Sequence, residues 1–105
     1  MAQLTILCNE EENQTLDSLI QQDAAIISGL GGSGLSEPTP IEVAGTAGKQ
    51  VTYTINFSGF AVEQVAAYVV KGECGWRIGL ATYGEGSLRS YLPLFERIIA
   101  SFRLD

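Results

Sequence analysis

Four aromatic side chains and one arginine are the residues most open to a binding role. Tyr53, Tyr68, Trp76 and Tyr83 belong to segments in which apolar and polar residues alternate, and Arg77 directly follows Trp76. Such alternation predicts β-strands, and side chains on one face of neighbouring strands meet. These residues are therefore candidates for one partner or small-molecule surface, with Arg77 as its polar anchor. The alternative is that the aromatic residues form the core beneath the helices or line the hairpin faces.

Catalytic chemistry has few candidates in this sequence. The chain contains no histidine, the commonest general base and the commonest metal ligand. Its two lysines, Lys49 and Lys71, fall in predicted turns, and Cys74 lies at a hairpin turn with Arg77 nearby in sequence. The carboxylates are scattered over loops and helix exteriors, which does not suit a pair of acids facing across a cleft. We therefore expect no enzyme activity, no metal and no cofactor.

The segment from Gly29 to Gly34 has the literal pattern G-x-G-x-x-G. In a dinucleotide-binding loop a strand precedes this pattern and a helix follows it, so that the helix N-terminus faces the pyrophosphate. Here a predicted helix comes before the pattern, and the sequence EPTP comes after it. The pattern instead predicts a flexible glycine- and proline-rich loop over residues 29–40, which joins a helix to a strand.

Length, charge and hydropathy exclude several classes of protein. The 105 residues, 46% of them apolar, predict one domain over residues 1–105. A net charge of −6 without a basic cluster argues against nucleic-acid binding. No apolar run reaches the roughly 20 residues that span a membrane, and no signal peptide is evident. The chain as written is expected to be soluble and cytoplasmic, or to belong to the cell envelope if a leader was removed.

The cysteine content leaves the redox state open between two arrangements. Cys8 and Cys74 permit one disulfide bond, but two cysteines are too few for a disulfide scaffold. We favour two separate thiols over a bridge.

The hydrophobic pattern predicts an α+β fold in the order strand, helix, strand meander, helix. Alternation predicts a strand over residues 2–8, and apolar residues at steps of three and four predict a helix from an N-cap at Thr15 to Gly29. Residues 41–84 are predicted to form consecutive antiparallel strands, with 62–70 central because it is apolar on both faces. An amphipathic helix then follows, with Ser90 as its N-cap and Pro93 in its first turn. The predicted architecture is an antiparallel sheet of about five strands with two helices packed on it.

Four parts of the C-terminal half carry a resemblance to a known family. Residues 45–53 (GTAGKQVTY), the paired strands through Val70, residues 80–83 (LATY) and residues 91–103 (YLPLFERIIASFR) resemble the PsbP-like superfamily, which includes bacterial DcrB-like domains. Also in this group are the PsbP subunit of photosystem II and a nuclear-import factor that binds Ran. The resemblance covers roughly residues 2–104 and is specific from about residue 45 onward. The closing segment is most similar to small bacterial members of unassigned function.

The resemblance implies an antiparallel sheet with packed helices, and a binding or accessory role without known catalysis. Members of the superfamily usually begin with an additional hairpin before the strand that matches residues 2–8, and this chain lacks it. Either the domain is a minimal version, or a sheet edge that is normally covered is left open. The unpaired N–H and C=O groups of an open edge invite the addition of another strand. We therefore expect a homodimer or a swapped partner element.

Two functions agree with these observations. The first is a non-catalytic binding or assembly module that associates with itself and has a protein partner or small ligand. The alternative is a carrier of a small molecule, such as a lipid or metabolite, that uses the space between a helix and the sheet.

Overall fold

The structure is a computed structural model. The part of the chain that it describes contains six β-strands and two α-helices. The described residues are 2–10, 14–57, 59–71, 74–83 and 87–102. The elements are, in chain order, β1 (Ala2–Glu10), α1 (Leu16–Gly29), β2 (Gly32–Ser33), β3 (Thr39–Val43), β4 (Thr46–Phe57), β5 (Phe60–Lys71), β6 (Cys74–Tyr83) and α2 (Ser87–Ser101).

All the strands join one antiparallel sheet. Its order is β1-β6-β5-β4-β2, and β3 pairs with β4 as well. Because one side of β4 pairs with β5, both β2 and β3 pair with its other side, at opposite ends of the strand. The α+β class and the antiparallel sheet are as predicted. The sixth strand is β2, which has only two residues.

The two helices pack on opposite faces of the sheet, so that the domain has two cores. β5 contributes alternate residues to each: Val65, Ala67 and Val69 pack with α2, whereas Ala66 and Tyr68 pack with α1. All five are almost completely buried. The central position predicted for this strand is confirmed, since a strand covered on both faces needs apolar side chains on both.

The start of α1 follows from its capping residues. The Thr15 side chain accepts a hydrogen bond from the backbone N–H of Ser18, and the Ser18 side chain accepts one from the N–H of Thr15. This capping box satisfies two backbone donors that a helix end otherwise leaves unpaired. The predicted N-cap at Thr15 and the predicted end at Gly29 are both confirmed.

The predicted loop over residues 29–40 contains more regular structure than expected. Gly32 and Ser33 pair with Ile55 and Thr54 of β4, and β3 already begins at Thr39. A Cβ atom at Gly32 would overlap both the side chain and the carbonyl group of Ile27. The glycine therefore allows the chain after α1 to pass directly beneath the helix and pair with the sheet.

The second helix begins earlier than the sequence suggests. α2 starts at Ser87 rather than after Ser90, and Pro93 consequently lies inside the helix instead of in its first turn. Leu88 explains the earlier start, because its side chain is buried in the core that α2 forms with the sheet. Burial of this leucine offsets part of the cost of the backbone hydrogen bond that Pro93 cannot donate.

Tight turns set the register of the strand meander. Ala44 and Gly45, both with positive φ (51° and 81°), connect β3 to β4. Positive φ at both central residues is the geometry of a two-residue turn whose twist matches that of the strands. The predicted turn over residues 45–48 is thus shorter than expected, and Thr46 already pairs with Val43.

Neither helix within the described ranges is long and apolar enough to cross a membrane.

Cys8 of β1 and Cys74 of β6 form a disulfide bond, which corrects our preference for separate thiols. Their Cα atoms are 5.6 Å apart, within the range that a disulfide spans. This pairing is difficult to predict from sequence, because the two cysteines are 66 positions apart. The antiparallel pairing of β1 with β6 brings them together.

Reduction of this disulfide is expected to lower the free energy of unfolding by about 4 kcal/mol, because the bond closes a long loop in the unfolded chain. Urea unfolding with and without reductant measures the change. The Cys8→Ser/Cys74→Ser double variant is the control, in which the reductant has no effect. Equal midpoints for the oxidised and reduced protein would contradict the assignment.

Candidate binding cleft between helix and sheet

A cleft opens where α1 leaves part of its sheet face uncovered. The helix packs against β2, β4 and β5, and β6 and β1 extend the same sheet beyond it. The cleft has a volume of about 330 Å³, which is at the lower end of the range for small-molecule sites. We call it the α1 cleft. Its apolar lining is Leu7, Ile26, Ile27, Leu30 and Ile55, and its polar lining is Asp23, Tyr53, Gln64 and Arg77.

The strand register brings the polar residues to this face. Arg77 of β6 lies opposite Tyr68 of β5 on one side and opposite Leu7 of β1 on the other. Four residues further along β5, Gln64 lies opposite Tyr53 of β4. Directly paired residues of neighbouring strands point to the same face, so these side chains meet beneath α1.

One hydrogen-bond network links the sheet to the helix. Arg77 Nε donates to Asp23 Oδ2 of α1 at 2.9 Å, and Tyr68 Oη donates to the same oxygen. Arg77 Nη2 donates to Tyr53 Oη, which in turn donates to Gln64 Oε1 at 2.8 Å. The network therefore runs from Tyr68 through Asp23, Arg77 and Tyr53 to Gln64.

The central ion pair of this network is largely withdrawn from water. The side chains of Arg77 and Asp23 are only 18% and 14% exposed. Burial acts to lower the pKa of Arg77, but the hydrogen bond to Asp23 and the neighbouring negative charge outweigh it and hold that pKa above its ordinary value. Arg77 thus remains charged with Asp23 as its partner.

The two tyrosines of the network resist ionisation. Burial raises the pKa of Tyr68 well above its ordinary value, and its hydrogen bond to Asp23 raises it further. Burial also raises the pKa of Tyr53, although the positive charge of Arg77 acts in the opposite direction. Both hydroxyl groups are therefore neutral donors over the physiological pH range.

The rim of the α1 cleft is unusually apolar for a protein surface. Leu7, Ile26 and Leu30 line the cleft with exposed fractions of 55%, 59% and 61%. Single exposed apolar side chains are common, but here three of them line one cavity. The cleft thus joins an apolar rim to a polar floor.

The structure distributes the predicted binding residues over both faces of the sheet. Tyr53, Tyr68 and Arg77 join one hydrogen-bond network on the α1 face, where Tyr53 and Arg77 line the cleft. Both tyrosines are buried in the core that α1 forms with the sheet, which was the alternative reading of the pattern. Trp76 lies on the other face, in the core with α2, and its ring meets that of Phe102 edge to face at 5.6 Å and 73°. Adjacent residues of a strand point to opposite faces, so Trp76 and Arg77 cannot share a surface.

Tyr83 completes the predicted set, and its side chain lies outside the described part of the structure.

Two polar members of the site were absent from the sequence prediction. Asp23 occupies a position of α1 at the same three- and four-residue spacing as the apolar residues Ile20 and Ile27. Gln64 similarly interrupts a run of apolar residues at alternate positions of β5. A polar residue at a core-facing position needs a hydrogen-bond partner, and this signal would have identified both.

Within the described ranges, no three acidic, cysteine or histidine side chains gather in an arrangement able to hold a metal ion. The charged groups of the α1 cleft instead pair with each other.

Comparison with known proteins supports the fold. A crystal structure of the Pseudomonas aeruginosa protein PA94, a protein of unknown function suggested to be a regulator, is similar to this chain, with a TM-score of 0.81. The alignment covers 99% of this chain and 73% of that chain at 12% sequence identity. The chain therefore shares a known α+β architecture, and at this identity the likeness shows the fold alone. No protein-family model matches the sequence, and no curated protein matches it.

The raised pKa values of Tyr53 and Tyr68 predict alkaline sensitivity. Above about pH 10, tyrosines of the unfolded chain lose protons that both residues retain in the folded state. The folded state then binds more protons, so the free energy of unfolding falls as pH rises, by up to about 1.4 kcal/mol per pH unit for each tyrosine. Urea midpoints measured on either side of pH 10 give the slope.

Tyr68→Phe is expected to reduce this slope, because it removes one of the two groups. Tyr91→Phe, in α2 on the other face of the sheet, is the control for loss of a tyrosine hydroxyl outside the network. An unchanged slope in Tyr68→Phe would contradict the prediction.

Proposed function

We propose that this protein is a non-catalytic binding module, and that the α1 cleft holds a small apolar or amphipathic molecule. The observation that carries the proposal is the exposure of Leu7, Ile26 and Leu30 around one cavity. Exposed apolar surface is unfavourable in water, and a ligand that covers the rim would recover about 25 cal/mol for each Å² removed from water. We therefore propose that the cleft serves to carry a lipid or metabolite rather than to catalyse a reaction.

The polar floor supports binding rather than turnover. Asp23 Oδ2 accepts hydrogen bonds from two donors, Tyr68 and Arg77. Tyr53 Oη both donates and accepts within the network. A general base needs a lone pair directed at the proton it removes, whereas these groups are engaged with each other. Such a network is suited to orienting a ligand and fixing the floor of its site.

The Ile26→Gln variant is expected to weaken binding of the neutral apolar dye Nile red about tenfold, because it places a polar group on the cleft rim. Fluorescence titration of the dye measures this effect. Ile26 is 59% exposed, so the melting temperature should change little.

Leu94→Gln is the matched control. It makes an equivalent change at a 45% exposed position of α2, on the other face of the sheet. Equal dye affinity in the two variants would overturn the assignment of the binding site to the α1 cleft.

Self-association through β1 is a second proposal, based on a different observation. β1 ends the sheet, its described side chains are all exposed, and Leu4 and Ile6 are each 42% exposed. The strand contains no proline or lysine, the residues that commonly protect a sheet edge. By contrast, β3 on the far side of the sheet contains Pro40 and Glu42.

A second copy of β1 is therefore the occupant that we propose for this edge. Antiparallel pairing of two identical edges about a twofold axis satisfies the open backbone groups of both protomers. It also places Leu4 and Ile6 of one copy near those of the other, which removes apolar surface from water.

Ile6→Lys is expected to convert the proposed dimer to a monomer, because it places like charges opposite each other in the paired edge. Sedimentation velocity at several protein concentrations measures the mass. Leu94→Lys on α2 is the matched control and should remain dimeric. A monomeric wild-type protein at high micromolar concentration would overturn the proposal.

We propose membership of the PsbP-like superfamily on the sequence resemblance together with the antiparallel sheet and its two packed helices. The Cys8–Cys74 disulfide bears on the compartment. Disulfides persist in oxidising environments, which favours the cell envelope over the cytoplasm.

A further inference from the structure

We propose that the ligand of the α1 cleft carries a carboxylate group, which binds Arg77 at the floor while its apolar chain lies against the rim. The inference rests on the proposed binding function and adds the chemical class of the ligand: an amphipathic carboxylic acid.

The hydrogen-bond inventory of the floor favours an acceptor. Arg77 has five N–H donors, of which the described residues engage two, one with Asp23 and one with Tyr53. Gln64 uses its carbonyl oxygen to accept from Tyr53, and its amide nitrogen carries two donors of its own. The residues that line the floor thus have more donors than the network uses, and a carboxylate accepts several of them at once.

The position of the guanidinium group makes it reachable from the cleft. A Cβ atom at Gly79 would overlap Arg77 Nη1, so the glycine leaves the space that the guanidinium occupies. Gly79 pairs with Ala66 of β5, another small residue, in the row between Arg77 and Gln64. Two small residues therefore allow Arg77 to lie along the sheet towards Tyr53, beneath the opening of the cleft.

Asp23 orients Arg77 without using its whole binding capacity. The Asp23 carboxylate engages Nε on one edge of the guanidinium. A planar guanidinium presents separate edges, and its terminal nitrogens can form the bidentate pair that carboxylates favour. Asp23 thus fixes the side chain while the ligand carboxylate binds at another edge.

The apolar rim explains why the acid should be amphipathic. A carboxylate that enters a partly dry cleft loses water and needs charge-assisted hydrogen bonds in return. Leu7, Ile26 and Leu30 supply the remaining affinity by covering an alkyl chain. A purely polar ligand would leave the apolar rim uncovered, and a purely apolar ligand would leave the donors of the floor unused.

Displacement of Nile red by octanoate, octan-1-ol and octylamine at neutral pH tests this inference. These probes have the same alkyl chain and differ in their polar group. Octanoate is expected to bind roughly 10- to 100-fold more tightly than octanol, the range for hydrogen bonds to a charged group. Octylamine should bind most weakly, because it places a cation beside Arg77.

Three variants test whether the preference for octanoate depends on Arg77. Arg77→Met is expected to remove the preference for octanoate while octanol binding persists, and Arg77→Lys should retain part of it. Gly79→Ala keeps every charge but displaces the guanidinium, so it should also reduce the preference. If the loss of charge in Arg77→Met prevents folding, Gly79→Ala tests whether Arg77 binds the carboxylate.

The outcomes separate the two proposals. Equal affinities for octanoate and octanol, or tightest binding of octylamine, would overturn the carboxylate inference and leave the α1 cleft as an apolar site. An unchanged octanoate preference in Gly79→Ala and Arg77→Met would overturn the role of Arg77. Failure of Ile26→Gln to weaken dye binding would instead overturn the proposed function itself.

Discussion

The ion pair between Asp23 and Arg77 fixes the relation of α1 to the sheet. A second ion pair, between Asp17 of α1 and Lys49 of β4 at 3.2 Å, also joins helix and sheet. Asp17 is 75% exposed there, and an exposed pair of this kind contributes at most about 1 kcal/mol. Loss of one partner from the buried pair costs about 3–5 kcal/mol, because an uncompensated charge remains in the interior. The buried pair therefore constrains the position of the helix much more strongly, and the α1 cleft lies beside it.

The alternation of side chains along β5 and β6 separates the structural role of the sheet from its proposed binding role. One face of β6 carries Ile78 and Leu80 into the core with α2, whereas Arg77 on the other face enters the α1 cleft. The α2 side is closed by buried residues such as Phe95. The α1 side keeps an uncovered strip of sheet. Because the first face supplies a complete core, the second can retain a polar network and a cavity.

Periodic features of the chain were predictable from sequence, and features set by contacts between distant segments were not. The N-cap residue Thr15 and the apolar residues on both faces of β5 are local signals, and each correctly indicated its element. The earlier start of α2 depends on burial of Leu88 against residues far along the chain. β2 depends on the close approach of Gly32 to Ile27, which no short pattern records.

The candidate site likewise combines residues whose proximity the sequence predicts with residues whose position depends on long-range packing. Tyr53, Tyr68 and Arg77 belong to strands, so their tendency to meet followed from pairing of neighbouring strands. Asp23 belongs to the helix, and its place beside Arg77 depends on which face of the sheet α1 covers. The sequence predicts two helices, but it does not indicate which face of the sheet each helix covers. The prediction placed Trp76 and Arg77 on one surface, although adjacent residues of a strand point to opposite faces.

β1 connects the two proposed interactions of this protein. Its edge is the surface proposed for self-association, and its Leu7 is part of the rim of the α1 cleft. Pairing of two β1 strands would place a second copy next to each cleft, and a ligand covering Leu7 would change the surface that the dimer presents. Where two binding events on one strand are coupled, each alters the free energy of the other by the same amount. The disulfide joins β1 to β6, the strand that carries Arg77, so the edge and the floor of the cleft belong to one covalently linked unit.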